Sequence, residues 1–375
     1  MITSAQRPVL SPPGGTTSGY PGFLELAHRE RTFLVLLLSG FFISAMTYQF
    51  APAAAWVGFL FASYSAVAND SIQTLGTFIA SNKNRPWWVL WLFIGGIFLA
   101  TVTYSWIAYD GDVSYQRLAA KGFETAPVSF SYLQIAAPLF LLILTRLKIP
   151  VSTTFLILTG FATSAASVGK VLTKSLTGYG LAFGISILMW VLIAKPLMKR
   201  LKTTPHRGWN VAQWATTGLL WSVWIMQDAA NIAVYLPRQL GVLEFVGFAG
   251  AVFVGLGILF RMGGERIQQV VEEKSSVVDV RMATCIDLIY AAILLYFKMH
   301  SKMPMSTTWV FIGLLAGREI GMTWVKASSR DWKGTLRMVT KDLSFVTFGL
   351  VVSLVLALAV NDAFYREVLG SLGLS

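Results

Sequence analysis

The sequence contains few of the residues from which enzymes and metal sites are usually built. It has one cysteine and three histidines among 375 residues, too few for a disulfide framework or a zinc site. We therefore expect no transition metal, no cofactor and no redox chemistry. No nucleophile with a base, no pair of acids and no phosphate-cradling glycine loop stands out, so an enzyme is not expected either.

Charged residues are also missing from stretches long enough to cross a bilayer. One uncharged stretch covers 32–69, and others cover 86–109, 175–194, 208–227 and 343–361. A spanning helix needs about 20 apolar residues, so we predict an all-α polytopic membrane protein. The net charge of +12 does not indicate nucleic acid, because the basic residues lie between the apolar stretches. The lipid bilayer is the expected environment, and no nucleic-acid partner is expected.

Two parts of the sequence repeat at nearly the same offset. The pattern Lys-x-Pro-x-Ser-Thr-Thr begins at Lys148 and again at Lys302, 154 positions later. Two aspartates within uncharged stretches, Asp70 and Asp228, are 158 positions apart. Because two separate offsets agree, we interpret the chain as an internal duplication.

The duplication gives a domain plan of two repeats with an added helix. The plan is a disordered cytoplasmic tail at 1–31, an extra transmembrane helix at 32–50, repeat 1 at 54–197, repeat 2 at 209–361 and a C-terminal tail at 362–375. Each repeat has a broken or aspartate-bearing helix, a Ser-Thr-Thr region and flanking spans. Charges and a proline interrupt each Ser-Thr-Thr region, which predicts a re-entrant hairpin of two half-length helices. Each repeat then crosses three times, so the two repeats are expected to be inverted.

The basic residues predict the orientation in the membrane. With the N-terminus inside, the loops predicted to be cytoplasmic hold the larger clusters of lysine and arginine, at 83–85, 199–207, 261–274 and 326–341. The positive-inside rule then predicts a cytoplasmic N-terminus and an external C-terminus. A bacterial inner membrane is the expected location, and a homodimer is left open.

Each aspartate has two amide neighbours at helical spacing. The two groups are Asn69, Asp70 and Gln73 in repeat 1, and Gln227, Asp228 and Asn231 in repeat 2. A carboxylate within a bilayer costs about 2.5–3.5 kcal/mol and needs a partner. Carboxylate and amide oxygens suit Na⁺ or a proton-carrying acid. The alternative is an aspartate that pairs with a basic residue or caps a broken helix, which accounts less well for a duplicated group.

Each Ser-Thr-Thr triplet follows a proline and opens a predicted helix. The triplets are Ser152, Thr153 and Thr154, and Ser306, Thr307 and Thr308. A helix N-terminus lined by hydroxyl groups can bind an anion, although ordinary N-capping is the alternative. Lys148 and Lys302 either add positive charge near that anion or extend toward the interface. We expect these eight residues to bind the substrate.

These motifs resemble those of the PiT inorganic phosphate transporters. Each half of that family carries a Gly-Ala-Asn-Asp-Val-Ala-Asn-type motif and a Pro-Val-Ser-Thr-Thr-His-type motif. The first type matches here at 68–73, continuing into Leu75-Gly76-Thr77, and at 227–231. The second type matches at 150–154 and at 304–308. The four motifs follow the family's order.

Some positions depart from the family pattern. Gln73 and Gln227 stand where the family has asparagine, and a longer amide would shift the ion site. Phe155 and Trp309 replace the histidine that follows Ser-Thr-Thr, and the first helix is an extra element.

The resemblance implies uptake of phosphate by alternating access, coupled to Na⁺. The aspartate and amide groups would hold Na⁺, and the Ser-Thr-Thr triplets would hold the anion. H⁺ is the alternative coupling ion. Sulfate or another anion is an alternative substrate, because related sulfate permeases use the same scaffold. A membrane receptor or scaffold without transport is the alternative from a different functional class.

Overall fold

The computed structural model describes residues 30–200, 203–262 and 279–371, and this part of the chain forms thirteen α-helices and no strands. Most of the predicted tail at 1–31 and part of the tail at 362–375 lie outside the described residues. The helices are α1 (Arg31–Thr47), α2 (Ala51–Thr74), α3 (Gly76–Ser81), α4 (Trp87–Ala108), α5 (Tyr132–Arg146), α6 (Thr153–Leu156), α7 (Ala165–Arg200), α8 (Arg207–Ala233), α9 (Val242–Met262), α10 (Val280–His300), α11 (Thr307–Trp324), α12 (Trp332–Val360) and α13 (Asp362–Ser371).

The all-α membrane fold expected from the uncharged stretches is confirmed. Six helices of the described chain are long and apolar enough to cross a bilayer: most of α2, together with α4, α7, α9, α10 and α12. A helix forms where the extra transmembrane helix was expected at 32–50, but this helix, α1, has 17 residues and is shorter than the six helices that could cross a bilayer. The tail expected at 362–375 begins with α13. The protein is therefore an integral membrane protein.

Contacts between helix ends define two faces of the bundle. At one end, the Asn82 amide after α3 donates to Gln213 in α8 at 3.0 Å, and Arg281 in α10 donates to the carbonyl of Arg200 at the end of α7 at 2.5 Å. At the other end, Trp106 in α4 donates to the carbonyl of Leu240 at 2.8 Å. We call the first end the proximal face, where α1 also begins, and the second the distal face.

The two Ser-Thr-Thr regions form helix pairs that differ from each other. In repeat 1, α5 has 15 residues, whereas α6 has only four and is followed by a 3₁₀ turn at Leu158–Phe161. In repeat 2, α10 has 21 residues and α11 has 18. The prediction of half-length helices is wrong for α10, which is about 31 Å long at 1.5 Å per residue. Its basic residues Lys298 and His300 do not interrupt it because they lie in the last turn, where free carbonyl groups favour cations.

The two helix pairs turn at non-helical segments that lie alongside long helices. We call residues 147–152 corner 1 and residues 301–306 corner 2. Corner 1 contacts α12 at Gly349, which is 17 residues after the first residue of α12 and 11 before its last. Corner 2 contacts α7, since the backbone N–H of Ser306 donates to Ser175 at 2.8 Å, ten residues into that helix. Both corners therefore lie beside interior turns of long helices.

A ridge of glycines brings α11 unusually close to α7. A methyl group on Gly313, Gly317 or Gly321 would come within 2.5, 2.3 or 2.9 Å of carbonyl oxygens of α7. Glycine at these positions allows the two backbones to touch, as at small-residue interfaces of membrane helices. The close packing fixes the start of α11, where the second Ser-Thr-Thr triplet lies.

Gly317→Ala is expected to destabilise the protein by about 1–3 kcal/mol, because the new methyl group overlaps the carbonyl of Phe183. Gly184→Ala, on the exposed side of α7 with nothing within 4 Å, is the matched control. Thermal unfolding in detergent would measure both variants. Equal unfolding temperatures for the two would contradict the close packing of α7 and α11.

Candidate functional site

The acid, amide and hydroxyl residues predicted from the two repeats are all buried. Their side chains are between 0% and 8% exposed. These residues are Asn69, Asp70, Gln73, Ser152, Thr153, Thr154, Gln227, Asp228, Asn231, Ser306, Thr307 and Thr308. An interior with this many polar side chains is costly unless the groups bind one another or a ligand.

The carboxylate of Asp228 contacts the first turns of both helices that follow the corners. Thr307, at the start of α11, donates to its carboxylate at 2.5 Å. Asn231, one helical turn away in α8, donates at 2.8 Å, and the hydroxyl oxygen of Thr154 in α6 lies 3.4 Å from the carboxylate. The Asp228 carboxylate thus holds the first turns of α6 and α11 together.

Asp70 lies next to Asp228. Asn69 and Gln73 both donate to one oxygen of the Asp70 carboxylate, at 2.8 and 3.4 Å. Asn231, which donates to Asp228, also donates to Thr153 at 2.9 Å. The two carboxylates are close enough to repel each other electrostatically. The structure therefore brings the duplicated acids into one site.

Further hydrogen bonds tie each corner to the opposite repeat. Gln73 of repeat 1 donates to the hydroxyl of Thr308 in repeat 2 at 3.2 Å. Thr308 and Asn69 both donate to the carbonyl of Val151 in corner 1, at 3.3 and 2.9 Å. In the other direction, Thr154 donates to the carbonyl of Met305 in corner 2 at 3.1 Å. The two repeats interlock at the site and do not merely pack against each other.

Several buried oxygen atoms of the predicted residues have no hydrogen-bond donor among the described residues, and one of them belongs to Gln227, whose amide nitrogen donates to the carbonyl of Leu294 in α10 at 2.9 Å. They are Asp70 Oδ2, Gln73 Oε1, Gln227 Oε1 and Asn231 Oδ1. Each is an acceptor only, and an unpaired buried acceptor costs about 1–3 kcal/mol. Carboxylate and amide oxygens without donors are suitable ligands for a small hard cation. These oxygen atoms are therefore suitable ligands for Na⁺.

The first serine of each triplet is a helix cap. Ser152 accepts from the backbone N–H of Phe155 at 3.2 Å, and Ser306 accepts from that of Trp309 at 3.3 Å. N-capping, the alternative considered for these triplets, is therefore present at both. The two helices are unequal, because α6 has four residues and α11 has 18, so α11 has the larger dipole at its N-terminus.

The two predicted lysines lie away from the acids, on different faces. Both Lys148 and Lys302 are exposed. Lys148 lines a cavity of about 90 Å³ that is also lined by the site residues Asn69, Gln73 and Thr308. The cavity continues to Asp342 in α12, on the proximal side, and is large enough to hold several water molecules. Lys302 belongs to corner 2 on the distal side and does not line this cavity.

A third buried acid, Asp287 in α10, was not among the predicted site residues. Its side chain is 1% exposed and accepts hydrogen bonds from Thr77 of α3 at 2.9 Å and Thr217 of α8 at 2.5 Å. Its sequence signal was an acid within the uncharged surroundings of 282–297. Asp287 thus contacts the α2–α3 segment and α8, which carry the two central acids.

Comparisons with known proteins give one result. The fold is similar to that of a solved structure titled "The sodium-dependent phosphate transporter", with a TM-score of 0.54 and 17% sequence identity. The similarity covers 81% of this chain and 97% of that chain. No protein-family model and no curated protein sequence matches this chain. At this level of identity the comparison establishes the fold, which agrees with the family resemblance of the four motifs.

Asp70→Asn is expected to remove stabilisation by Na⁺. In wild type, replacing choline chloride by NaCl should raise the unfolding temperature, because a bound cation offsets the repulsion between Asp70 and Asp228. A cation at about ten times its Kd contributes about 1.4 kcal/mol. In Asp70→Asn the repulsion is already absent, so the variant should be more stable than wild type in choline and respond little to Na⁺.

The matched control for that measurement is Asp110→Asn, the same substitution at an exposed position on the distal face. Its backbone has a φ of 51°, which asparagine tolerates. It should respond to Na⁺ as wild type does. An unchanged response in Asp70→Asn would show that Asp70 is not a cation ligand.

Proposed function

We propose that this protein is a secondary active transporter that imports inorganic phosphate together with Na⁺. The observation that carries the proposal is the meeting of two buried acids at the start of α11: Asp228, which accepts from Thr307, and Asp70, whose Oδ2 has no donor among the described residues. A pair of acids and a helix N-terminus at one buried site suit simultaneous binding of a cation and an anion. The fold similarity supports the same class of function.

The acids have the cation-binding role in this proposal. Two adjacent buried carboxylates are unstable without compensation, and no lysine or arginine forms an ion pair with Asp70 or Asp228 among the described residues. The donor-free oxygens of Gln73, Gln227 and Asn231 supply further ligands. Bound Na⁺ would reduce the negative charge of the site and permit an anion to enter.

The first turns of α6 and α11, which follow the two corners, have the anion-binding role. The first N–H groups of α11 have no acceptor within the helix, and the helix dipole favours negative charge there. Thr307 now donates its hydroxyl hydrogen to Asp228. A cation on that carboxylate would release the hydroxyl to donate to phosphate instead. This exchange explains why cation binding would precede anion binding.

Alternating access requires that the site open to each face in turn. Corner 1 follows α5, which begins at the distal face where Tyr132 contacts Tyr48, whereas corner 2 follows α10, which begins at the proximal face. This opposite entry supports the inverted-repeat and re-entrant arrangement. The cavity next to Asn69 and Thr308 leads toward the proximal face, which the positive-inside rule assigns to the cytoplasm.

Uptake of radiolabelled phosphate into proteoliposomes tests the function. We expect an inward Na⁺ gradient to drive uptake and a proton gradient alone to drive little. Excess unlabelled sulfate tests the alternative substrate, because a sulfate permease would be inhibited by sulfate and would accumulate labelled sulfate. Absence of uptake of either anion would favour a receptor or scaffold and overturn the proposal.

Thr307→Val is expected to lower phosphate uptake about 10- to 100-fold, since it removes a hydrogen bond to a charged group without changing the side-chain shape much. Thr177→Val is the matched control, because Thr177 is exposed on α7 and donates only to the carbonyl of Thr173. Initial rates at several phosphate concentrations would measure the effect. A similar loss in both variants would contradict a specific role of Thr307.

A further inference from the structure

An arginine of the connection between α4 and α5 lies buried beside corner 2. Arg117 is 0% exposed. Its Nε donates to the carbonyl of Met226 in α8 at 3.2 Å, and its Nη1 donates to the carbonyls of Ser301 and Met303 in corner 2. The remaining nitrogen, Nη2, is buried and has no hydrogen-bond partner among the described residues. Arg117 forms no ion pair with any carboxylate of the described chain.

A second cation lies at the same two carbonyl groups. The ammonium group of Lys174 in α7 donates to the carbonyl of Met303 and, at 3.5 Å, to that of Ser301. Arg117 and Lys174 are near enough to repel each other, and Lys298 and Lys302 add further positive charge nearby. Corner 2 therefore has four cations on its distal side.

A purely structural role accounts poorly for this cluster. Arg238, in the same distal layer, shows how a structural arginine is satisfied, since its three nitrogens donate to the carbonyls of Phe123, Val234, Leu236 and Thr125. Arg117 instead retains an unused buried donor beside another cation. Like charges in a poorly hydrated place destabilise the protein unless an anion joins them. The unused donor of Arg117 indicates a missing acceptor, and the repulsion between Arg117 and Lys174 indicates that this acceptor is an anion.

We propose that Arg117 and Lys174 form an oxyanion subsite on the distal side of corner 2, which binds tetrahedral phosphate or sulfate before the anion reaches Thr307 and Thr308. The inference rests on the transport function proposed above and adds a binding step to it. A planar guanidinium with a free nitrogen beside an ammonium group suits an oxyanion with several acceptor oxygens. Corner 2 connects this subsite to the central site, because Met303 is four residues before Thr307.

The charge balance of the site agrees with this assignment. A bound oxyanion would offset the repulsion between the Arg117 guanidinium and the ammonium group of Lys174. Burial lowers the pKa of the Arg117 guanidinium to about 10, although the negative charge of Asp228 opposes this shift, so Arg117 remains cationic at neutral pH.

Binding of radiolabelled phosphate and sulfate to the purified full-length protein in saturating Na⁺ tests the subsite. Arg117→Gln is expected to raise the Kd of the bound anion about 10- to 100-fold, the effect of losing a hydrogen bond from a charged group. Arg117→Lys, which keeps the charge but loses the planar fork, should lie between this variant and wild type. Arg238→Gln should bind as wild type does. The Na⁺-dependent rise in unfolding temperature should persist in Arg117→Gln, which separates lost anion binding from lost folding.

Lys174→Cys provides a test of charge that does not depend on a change in packing. The chain has one natural cysteine, so Cys285→Ser gives a background without thiols. We expect Lys174→Cys to bind phosphate weakly, aminoethylation of its thiol by a methanethiosulfonate reagent to restore binding, and the sulfonatoethyl reagent to fail to restore it. Equal restoration by both reagents would overturn the subsite.

The outcomes also separate this inference from the proposed function. If wild type binds phosphate or sulfate and Arg117→Gln binds with an unchanged Kd, the subsite is overturned and the transport proposal remains intact. The subsite is also overturned if Arg117→Gln and Arg238→Gln lose affinity equally. Wild type that binds neither anion would overturn both.

Discussion

The burial of two neighbouring carboxyl groups, together with the repulsion between them, is the constraint on which this structure depends. Asp70 and Asp228 come from different repeats, are buried and lie close enough to interact. Hydrogen bonds from Thr307, Asn231 and Asn69 stabilise the charges only in part, because each hydroxyl or amide donor is neutral. The folded protein thus concentrates negative charge where water is excluded. In the proposed function a bound cation would relieve this cost, and the affinity for that cation would derive from the cost itself.

Helix packing determines where the acids and corners meet. The Gly313, Gly317 and Gly321 ridge sets α11 against α7, and Gly349 of α12 allows corner 1 to approach its backbone. Each corner therefore contacts the last long helix of the other repeat. Because each corner packs against a helix of the other repeat, both repeats are needed to form the site. This packing also offers a route for movement, because a shift of one repeat changes the contacts of both corners.

The two repeats resemble each other in sequence more than in local structure. The first Ser-Thr-Thr triplet opens a helix of four residues, whereas the second opens one of 18. The dipole available to an anion is therefore larger at α11. The distal cations Arg117 and Lys174 lie beside the same corner, so positive potential is concentrated on one side of the site. The proximal cavity beside Lys148 also contains acids such as Glu319 and Asp342, so its charge is mixed. Entry and release of an anion would thus meet different electrostatic environments.

The sequence was sufficient for the membrane class and for the polar residues that the fold buries at its centre, because long uncharged stretches and rare intramembrane acids are local signals. Prediction failed for the length of α10, since Lys298 and His300 were interpreted as an interruption but end the helix in its last turn. The sequence allowed either anion binding or N-capping for the serines, and only the backbone geometry showed that both serines are caps. Asp287 was visible as an acid in an apolar segment, but its partners Thr77 and Thr217 are 210 and 70 positions away.

Arg117 could not be identified from sequence at all, because a basic residue in a loop is ordinary until folding buries it beside corner 2. The tertiary structure alone decided which charges share one poorly hydrated space, since that depends on contacts between distant segments and not on any local pattern.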